Sequence, residues 1–340
     1  MTNKSSVVPK QPYTHLISSI GQILEEGRRK AIQSINQILV RTYWEIGGQI
    51  VEFEQRGNTR ATYGSSLLRS LSRDLIEQHG KGFSEDNLEK MRKFYILFKN
   101  SETLSRKLSW NHYCILTRIG DMTARNFYTV EAEKVGWSVR ELERQINAML
   151  FERLAVSKDK REVLRLSKEG QVIQTPKDII KDPYILDFLG LEEASIFTES
   201  HLEQKIIDVL ERFLLELGKG FTFVERQKRI TIEDHHFYID LVFYHRLLRC
   251  FVLIELKVGT LAHKDLGQLQ MYVNYYDRVI RSKQENQTIG ILLCADKKES
   301  IVKYTLPVDN KQIFASEYKF YLPDKKILQN KLKELLEDKE

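Results

Sequence analysis

Cysteine is scarce in this chain, with only Cys114, Cys250 and Cys294 among 340 residues. They are odd in number, widely spaced and form no CxxC, which argues against a disulfide framework and against a zinc site. A reducing cytoplasm is the expected setting. Long apolar runs are also missing, so no membrane span is expected. The opening stretch MTNKSSVVPKQPYTHL lacks an apolar segment followed by a small-residue cleavage site, so no secretory leader is expected. Repeats and low-complexity tracts are lacking too. The sequence contains no GxxxxGK[ST], HExxH or GxSxG. Phosphate-loop, zinc-protease and serine-hydrolase chemistry are thereby set aside, and no nucleotide cofactor is expected.

What is present is ordinary for a globular protein: 42% hydrophobic and 29% charged residues. The length suits about two domains. Charge is uneven, with a net +7 on residues 1–160 and −1 on the rest. A mildly basic first half is compatible with a polyanionic partner such as DNA, and equally with none.

Residues 13–154 read as helices. From Ile17 the apolar residues recur at spacings of three and four, with a break expected near Gly47-Gly48 and an end at Gly57-Asn58. SLLRSLSRDLIEQHG repeats the pattern and stops at Gly80. In KGFSEDNLEKMRKFYILF, Ser84 suits an N-cap, with acidic residues in the first turn and basic ones after it. The two segments together resemble a helix-turn-helix. A second pair is expected in MTARNFYTVEAEKVG and WSVRELERQINAMLFERL, where Ser138 and Glu141 suit a capping box. On a recognition-helix reading, Asn87, Lys90, Arg92 and Lys93 would meet phosphates or base edges. The alternative makes them the solvated side of a helix whose Leu88, Met91 and Tyr95 face a core.

Residues 155–197 are charged, hold Pro176 and Pro183, and read as a linker or arm. From residue 198 the character changes to a helix ending at Gly218, three strands, a helix, a strand and a final alternating segment before a charged C-terminal helix. That order predicts an α/β domain with a mixed sheet over 198–330.

Chemistry concentrates in two of those strands. FYIDLVFYH holds Asp240, and RCFVLIELKVG holds Glu255 and Lys257, two apart and hence on one strand face. Burying either charge unpaired costs several kcal/mol. Glu203 lies on the preceding helix, and Gln268 and Tyr272 share a face of the following one. Clustered carboxylates suit a hard divalent cation such as Mg²⁺ or Mn²⁺, which can activate water and neutralise phosphodiester charge. A neighbouring lysine can stabilise the developing charge. The plain alternative is a solvated strip with a weak Glu–Lys pair. Arg226 and Lys228 share one face of FTFVERQKRITI and would suit DNA phosphates or simply a charged edge strand.

Asp240, Glu255-Leu256-Lys257 and Gln268-x3-Tyr272 resemble the PD-(D/E)XK nuclease signature, in the variant with the Q-x3-Y helix of RecB-like members. The long blocks FLLELGKGFTFVERQKRITI, GQLQMYVNYYDR, YWEIGGQIVEFEQ, LSWNHYCILTRI and WSVRELERQI resemble YhcG-like proteins over residues 13–325. The resemblance implies an α+β two-domain protein, with an all-helical N-terminal domain and a restriction-endonuclease-like C-terminal domain. It implies Asp240, Glu255, the Leu256 carbonyl and Glu203 as metal ligands, Lys257 as the catalytic lysine, and Gln268 and Tyr272 as positioning groups. Ile239 stands where the signature has proline. The implied activity is DNA hydrolysis; the oligomeric state is left open, a homodimer or a larger nuclease complex being compatible with it. The rival is a catalytically silent DNA-binding or assembly protein that keeps the fold as a platform.

Overall fold

The structure is a computed structural model that describes residues 10–56, 62–101, 104–155, 159–191, 197–321 and 330. The chain divides into two compact units, residues 1–142 and 143–340, each taken by itself below.

The first unit is helical. Helix α1 (Lys10–Arg56) runs 47 residues without interruption, so the expected break at Gly47-Gly48 does not occur. The glycines serve contact instead. A Cβ on Gly47 would lie 2.1 Å from the Met91 carbonyl oxygen, and one on Gly48 would lie 2.8 Å from the Tyr95 ring. Both neighbours belong to α3 (Glu85–Leu97), which follows α2 (Thr62–His79). Helix propensity alone would make Gly47→Ala stabilising by about 1 kcal/mol. The backbone overlap reverses the sign, and we expect a loss of about 1–3 kcal/mol, read by urea unfolding. A variant as stable as the parent would refute close approach as the reason for glycine here. The end expected at Gly57-Asn58 lies outside the described residues.

Between α2 and α3 the turn uses Gly80 and Gly82 at positive φ. Ser84 caps α3 by accepting from the Asn87 N–H. The Asn87 side chain donates to the Gly82 carbonyl and accepts from the Trp110 indole, so it locks the turn. Leu88 and Met91 are buried as expected, packed with Ile50 and bordered by Leu71 and Leu75. Helices α4 (Trp110–Leu116) and α5 (Met122–Glu131) complete the unit, and α6 (Val139–Asn147) carries the chain across the boundary. Ser138 and Glu141 form the expected reciprocal cap on α6. The helix expected over WSVRELERQINAMLFERL is interrupted at Met149, whose φ is 53°.

In the second unit, α7 (Leu150–Ala155) and α8 (Lys160–Glu169) precede β1 (Tyr184–Ile185). The stretch 155–197, expected as a linker or arm, therefore contributes a helix and an edge strand. Ile179, Tyr184, Ile185 and Leu186 from it are buried. Its apolar residues stand in short clusters among charges, so no periodicity marks them. Helices α9 (Glu199–Asp208) and α10 (Leu210–Leu217) replace one expected helix, the chain kinking at Val209. Strands β2 (Phe221–Ile232), β3 (His235–His245) and β4 (Cys250–Thr260) follow, then α11 (His263–Tyr275), β5 (Ile289–Asp296), α12 (Glu299–Thr305) and β6 (Ile313–Lys319). The sheet order is β1-β6-β5-β4-β3-β2. Strands β1, β6, β5 and β4 are parallel neighbours, whereas β4–β3–β2 is an antiparallel meander. One sheet face packs on Leu202, Ile206 and Phe213 of α9 and α10, the other on Leu266, Leu269 and Val273 of α11. Cover on both faces explains strands with near-continuous apolar runs. The charged C-terminal helix expected after residue 321 lies outside the described residues, apart from residue 330.

No helix among the described residues is long and apolar enough to cross a membrane.

Candidate active site

The site sits where the sheet forks. Pairing of β3 with β4 stops at Leu241↔Ile254. Beyond that point β3 stays with β2, through Ile239↔Lys228 to His235↔Ile232, while β4 continues along β5 to Thr260↔Asp296. Asp240 and Glu255 are the next residues on either side of the split. Their carboxylates take over from the ladder: the Asp240 N–H donates to Glu255 Oε1 at 3.2 Å, and the Leu256 N–H donates to Asp240 Oδ2 at 2.8 Å. A carboxylate satisfying a buried backbone N–H is a stable substitute for a missing strand partner.

The fork opens into a cleft of about 410 Å³ lined by Glu199, Gln227, Asp240, Glu255, Leu256, Lys257 and Gln268, among others. The structure thus brings five of the expected site residues to one cavity. Tyr272 is buried behind it and reaches the cleft through Gln268, whose amide donates to Tyr272 Oη at 2.7 Å and to Glu255 Oε2 at 3.5 Å. Glu203 is connected through Gln227, whose amide donates to both Glu203 Oε2 and Asp240 Oδ1.

Two contributors were missed in the sequence. Gln227 faces Asp240 across the β2–β3 register, between Arg226↔Leu241 and Lys228↔Ile239. Its φ of 46° is unusual for a strand residue, and such backbone strain tends to persist at functional sites. Attention to its charged neighbours hid it. Glu199 holds the Lys257 ammonium at 2.9 Å and accepts from the Val258 N–H. It lies one helical turn before Glu203, so an i, i+4 search from that residue would have found it.

Burial and mutual charge perturb the carboxylates of the cleft. Burial, then the Glu203 charge, pushes the Asp240 carboxyl up to about 6, against the opposing hydrogen bonds from Leu256 and Gln227. Burial and the Asp240 charge push Glu255 well above the usual carboxylate range. Burial and the Glu255 charge push the Tyr272 phenol up to about 12. The Lys257 ammonium moves the other way in chemical sense: its hydrogen bond to Glu199 keeps it protonated. Glu203, Asp240 and Glu255 repel one another with only neutral amide and backbone donors between them, which is a donor set suited to a hard divalent cation. As placed, no group of three His, Cys, Asp or Glu among the described residues is close enough to hold an ion. The Gln227 amide occupies oxygens of both Glu203 and Asp240 that a cation would use.

The cations expected to meet DNA are distributed differently. Exposed Arg226 donates to Gln204 of α9, and half-buried Lys228 pairs with Glu225. In the first unit, Arg92 is held by Glu54 and Glu89, and Lys90 pairs with Asp86, while Lys93 is exposed.

Two family models match the chain: the YhcG PDDEXK nuclease domain over residues 177–333 and the DUF1016 N-terminal domain over residues 19–153. A curated protein of Escherichia coli (strain K12) named "Putative nuclease YhcG" is 38% identical over 352 residues, covering 94% of this chain and 93% of that protein. Among solved structures, a repair endonuclease from Pyrococcus abyssi is similar over 39% of this chain, at 16% identity and a TM-score of 0.26. The EndoMS-dsDNA2 complex is similar over 40%, at 16% identity and a TM-score of 0.27. The matches span 50% and 51% of those two chains.

Proposed function

We propose, from a chain that belongs to the YhcG family and carries a PD-(D/E)XK nuclease domain of restriction-endonuclease-like fold, that it hydrolyses DNA phosphodiester bonds with a bound divalent cation, Mg²⁺ or Mn²⁺. The observation that carries this reading is the fork of β3 and β4, which gathers Asp240, Glu255, Lys257 and Gln268 into one cleft. Asp240, Glu255 and the Leu256 carbonyl, with Glu203, would hold the cation. When bound, it supplies Lewis-acid polarisation of the phosphate and lowers the pKa of a water.

The chain's own residues do the rest. Lys257, anchored by Glu199, presents a fixed positive charge to the phosphate as negative charge develops on it. Gln268, braced by Tyr272, orients a water or a phosphate oxygen beside Glu255. Arg226 and Lys228, with Lys93 and the carboxylate-paired Lys90 and Arg92, are the groups proposed to meet the DNA backbone. The cysteines Cys114, Cys250 and Cys294 are free thiols, in keeping with a cytoplasmic setting.

The test is incubation with linear, nicked, branched and single-stranded DNA, and with RNA, in Mg²⁺ or Mn²⁺ and in chelator. Cleavage of DNA that chelator stops is expected. Binding without cleavage would favour the silent platform, and cleavage confined to RNA would change the substrate.

Thermal unfolding gives a second readout. Raised carboxyl pKa values favour the folded state at low pH, and that contribution is lost as pH rises through about 6 for Asp240. A cation that neutralises the cluster should therefore raise Tm by several degrees at pH 8 and scarcely at pH 5. Equal shifts at both pH values would place cation binding elsewhere.

A further inference from the structure

The amino-terminal part of α1 carries an apolar stripe with no partner among the described residues. Leu16, Ile17, Ile20, Ile23, Leu24, Ile32, Ile35, Ile38 and Leu39 are each at least 40% exposed. Only from Val40 onward does the helix enter the core of its unit. The stripe follows spacings of three and four on either side of a polar centre between Leu24 and Ile32. In all it spans about 40 Å, roughly four heptads, a length at which a coiled-coil seam becomes specific.

The pattern is also palindromic. Counted outward from the point between Gly27 and Arg28, Ile23 mirrors Ile32 and Ile20 mirrors Ile35. Ile17 then mirrors Ile38, and Leu16 mirrors Leu39. The charges nearest the centre mirror with opposite sign, Glu25 against Lys30 and Glu26 against Arg29. A helix with that sequence is complementary to itself when turned end for end. Pairing two copies antiparallel about this centre stacks isoleucine on isoleucine and sets each acidic side chain beside a basic one. In-register parallel pairing would put Glu25 and Glu26 at the height of their own copies. Within one chain these groups pair only locally, Glu25 with Arg28 and Glu26 with Lys30, in exposed bridges that contribute little and exchange freely.

We propose that α1 residues 13–39 form an antiparallel, two-fold symmetric helix pair with a second copy of this chain, its axis passing between Gly27 and Arg28. A two-fold interface requires one patch complementary to itself, which is what the mirrored stripe supplies. The assignment does not depend on the nuclease reading, and its test does not measure cleavage.

The test has two parts on the full-length chain. Light scattering should give twice the 40.0 kDa chain mass, and Ile20→Glu with Ile35→Glu should give the chain mass with an unchanged circular-dichroism spectrum. For direction, Ile20→Cys and Ile35→Cys are made separately on a Cys114→Ser background. Mixed and oxidised, they should link unlike chains, while each alone stays unlinked. A parent chain of single mass overturns the proposal. So does a dimer that survives the glutamates, or oxidation that links like chains only.

Discussion

Glu255→Gln abolishes cleavage by about three orders of magnitude or more, and at the same time raises the stability of the metal-free protein. Loss of an anionic ligand removes several kcal/mol of transition-state charge stabilisation, and each 1.36 kcal/mol is tenfold in rate. The stability gain has a separate cause. Glu255 is buried beside Asp240 and its carboxyl is pushed well above the usual range, so keeping this acid in the fold opposes folding once pH rises above the ordinary carboxylate value. Glutamine keeps the shape and an acceptor for the Asp240 N–H while removing that acid. The paired readout separates a functional carboxylate from a structural one. If the cluster existed to hold the strands together, the variant would melt lower in chelator. Lys257→Ala should slow cleavage about 10²–10³-fold, with little change in metal affinity measured by calorimetry. A Lys257→Ala chain that cuts as fast as its parent would remove that residue from the mechanism.

The fork could be foreseen only in part. Asp240, Glu255 and Lys257 were legible because charges interrupt strands that are otherwise apolar, a conflict that needs a reason. Gln268 and Tyr272 were legible from helical spacing. Gln227 was not, because a neutral amide in an alternating strand breaks no local rule, and Glu199 was marked only by its i, i+4 spacing to Glu203. Only the strand register and the position of α9 make them neighbours of the cleft. The same limit explains Gly47-Gly48. Local propensity reads the pair as a helix breaker, whereas α3 passes so close that only glycine fits. Tyr184 was hidden for another reason: a two-residue strand has too few positions to show a period, and its identity comes from pairing with Tyr318.

That edge strand depends on a buried ion cluster, and Glu216→Leu should destabilise the chain by about 3–5 kcal/mol, read by urea unfolding at pH 7. Glu216 has no exposed surface. Its Oε1 accepts from Arg153 Nη1 at 2.8 Å and from the Ile185 N–H of β1 at 3.0 Å, while its Oε2 accepts from Arg144. Lys181 donates to its backbone carbonyl. Burial alone would raise this carboxyl, but Arg153, Lys181 and Arg144 outweigh it and hold it at about 2. A depressed pKa contributes stability that is present above the ordinary carboxylate value and is lost as pH falls toward 2. The deficit of Glu216→Leu against its parent should therefore narrow between pH 4.5 and pH 2. At neutral pH the single variant leaves Arg153, also with no exposed side-chain surface, as an uncompensated cation. Adding Arg153→Met removes the cation that pairs directly with Glu216 and should recover part of the loss, since apolar groups of similar volume often replace a buried pair at little cost; Lys181 keeps its bond to the residue 216 carbonyl. Arg144 keeps some contact with solvent and can turn its charge to water. If the double variant is no better than the single one, the cluster's role lies in the Ile185 hydrogen bond that seats β1, and not in charge balance.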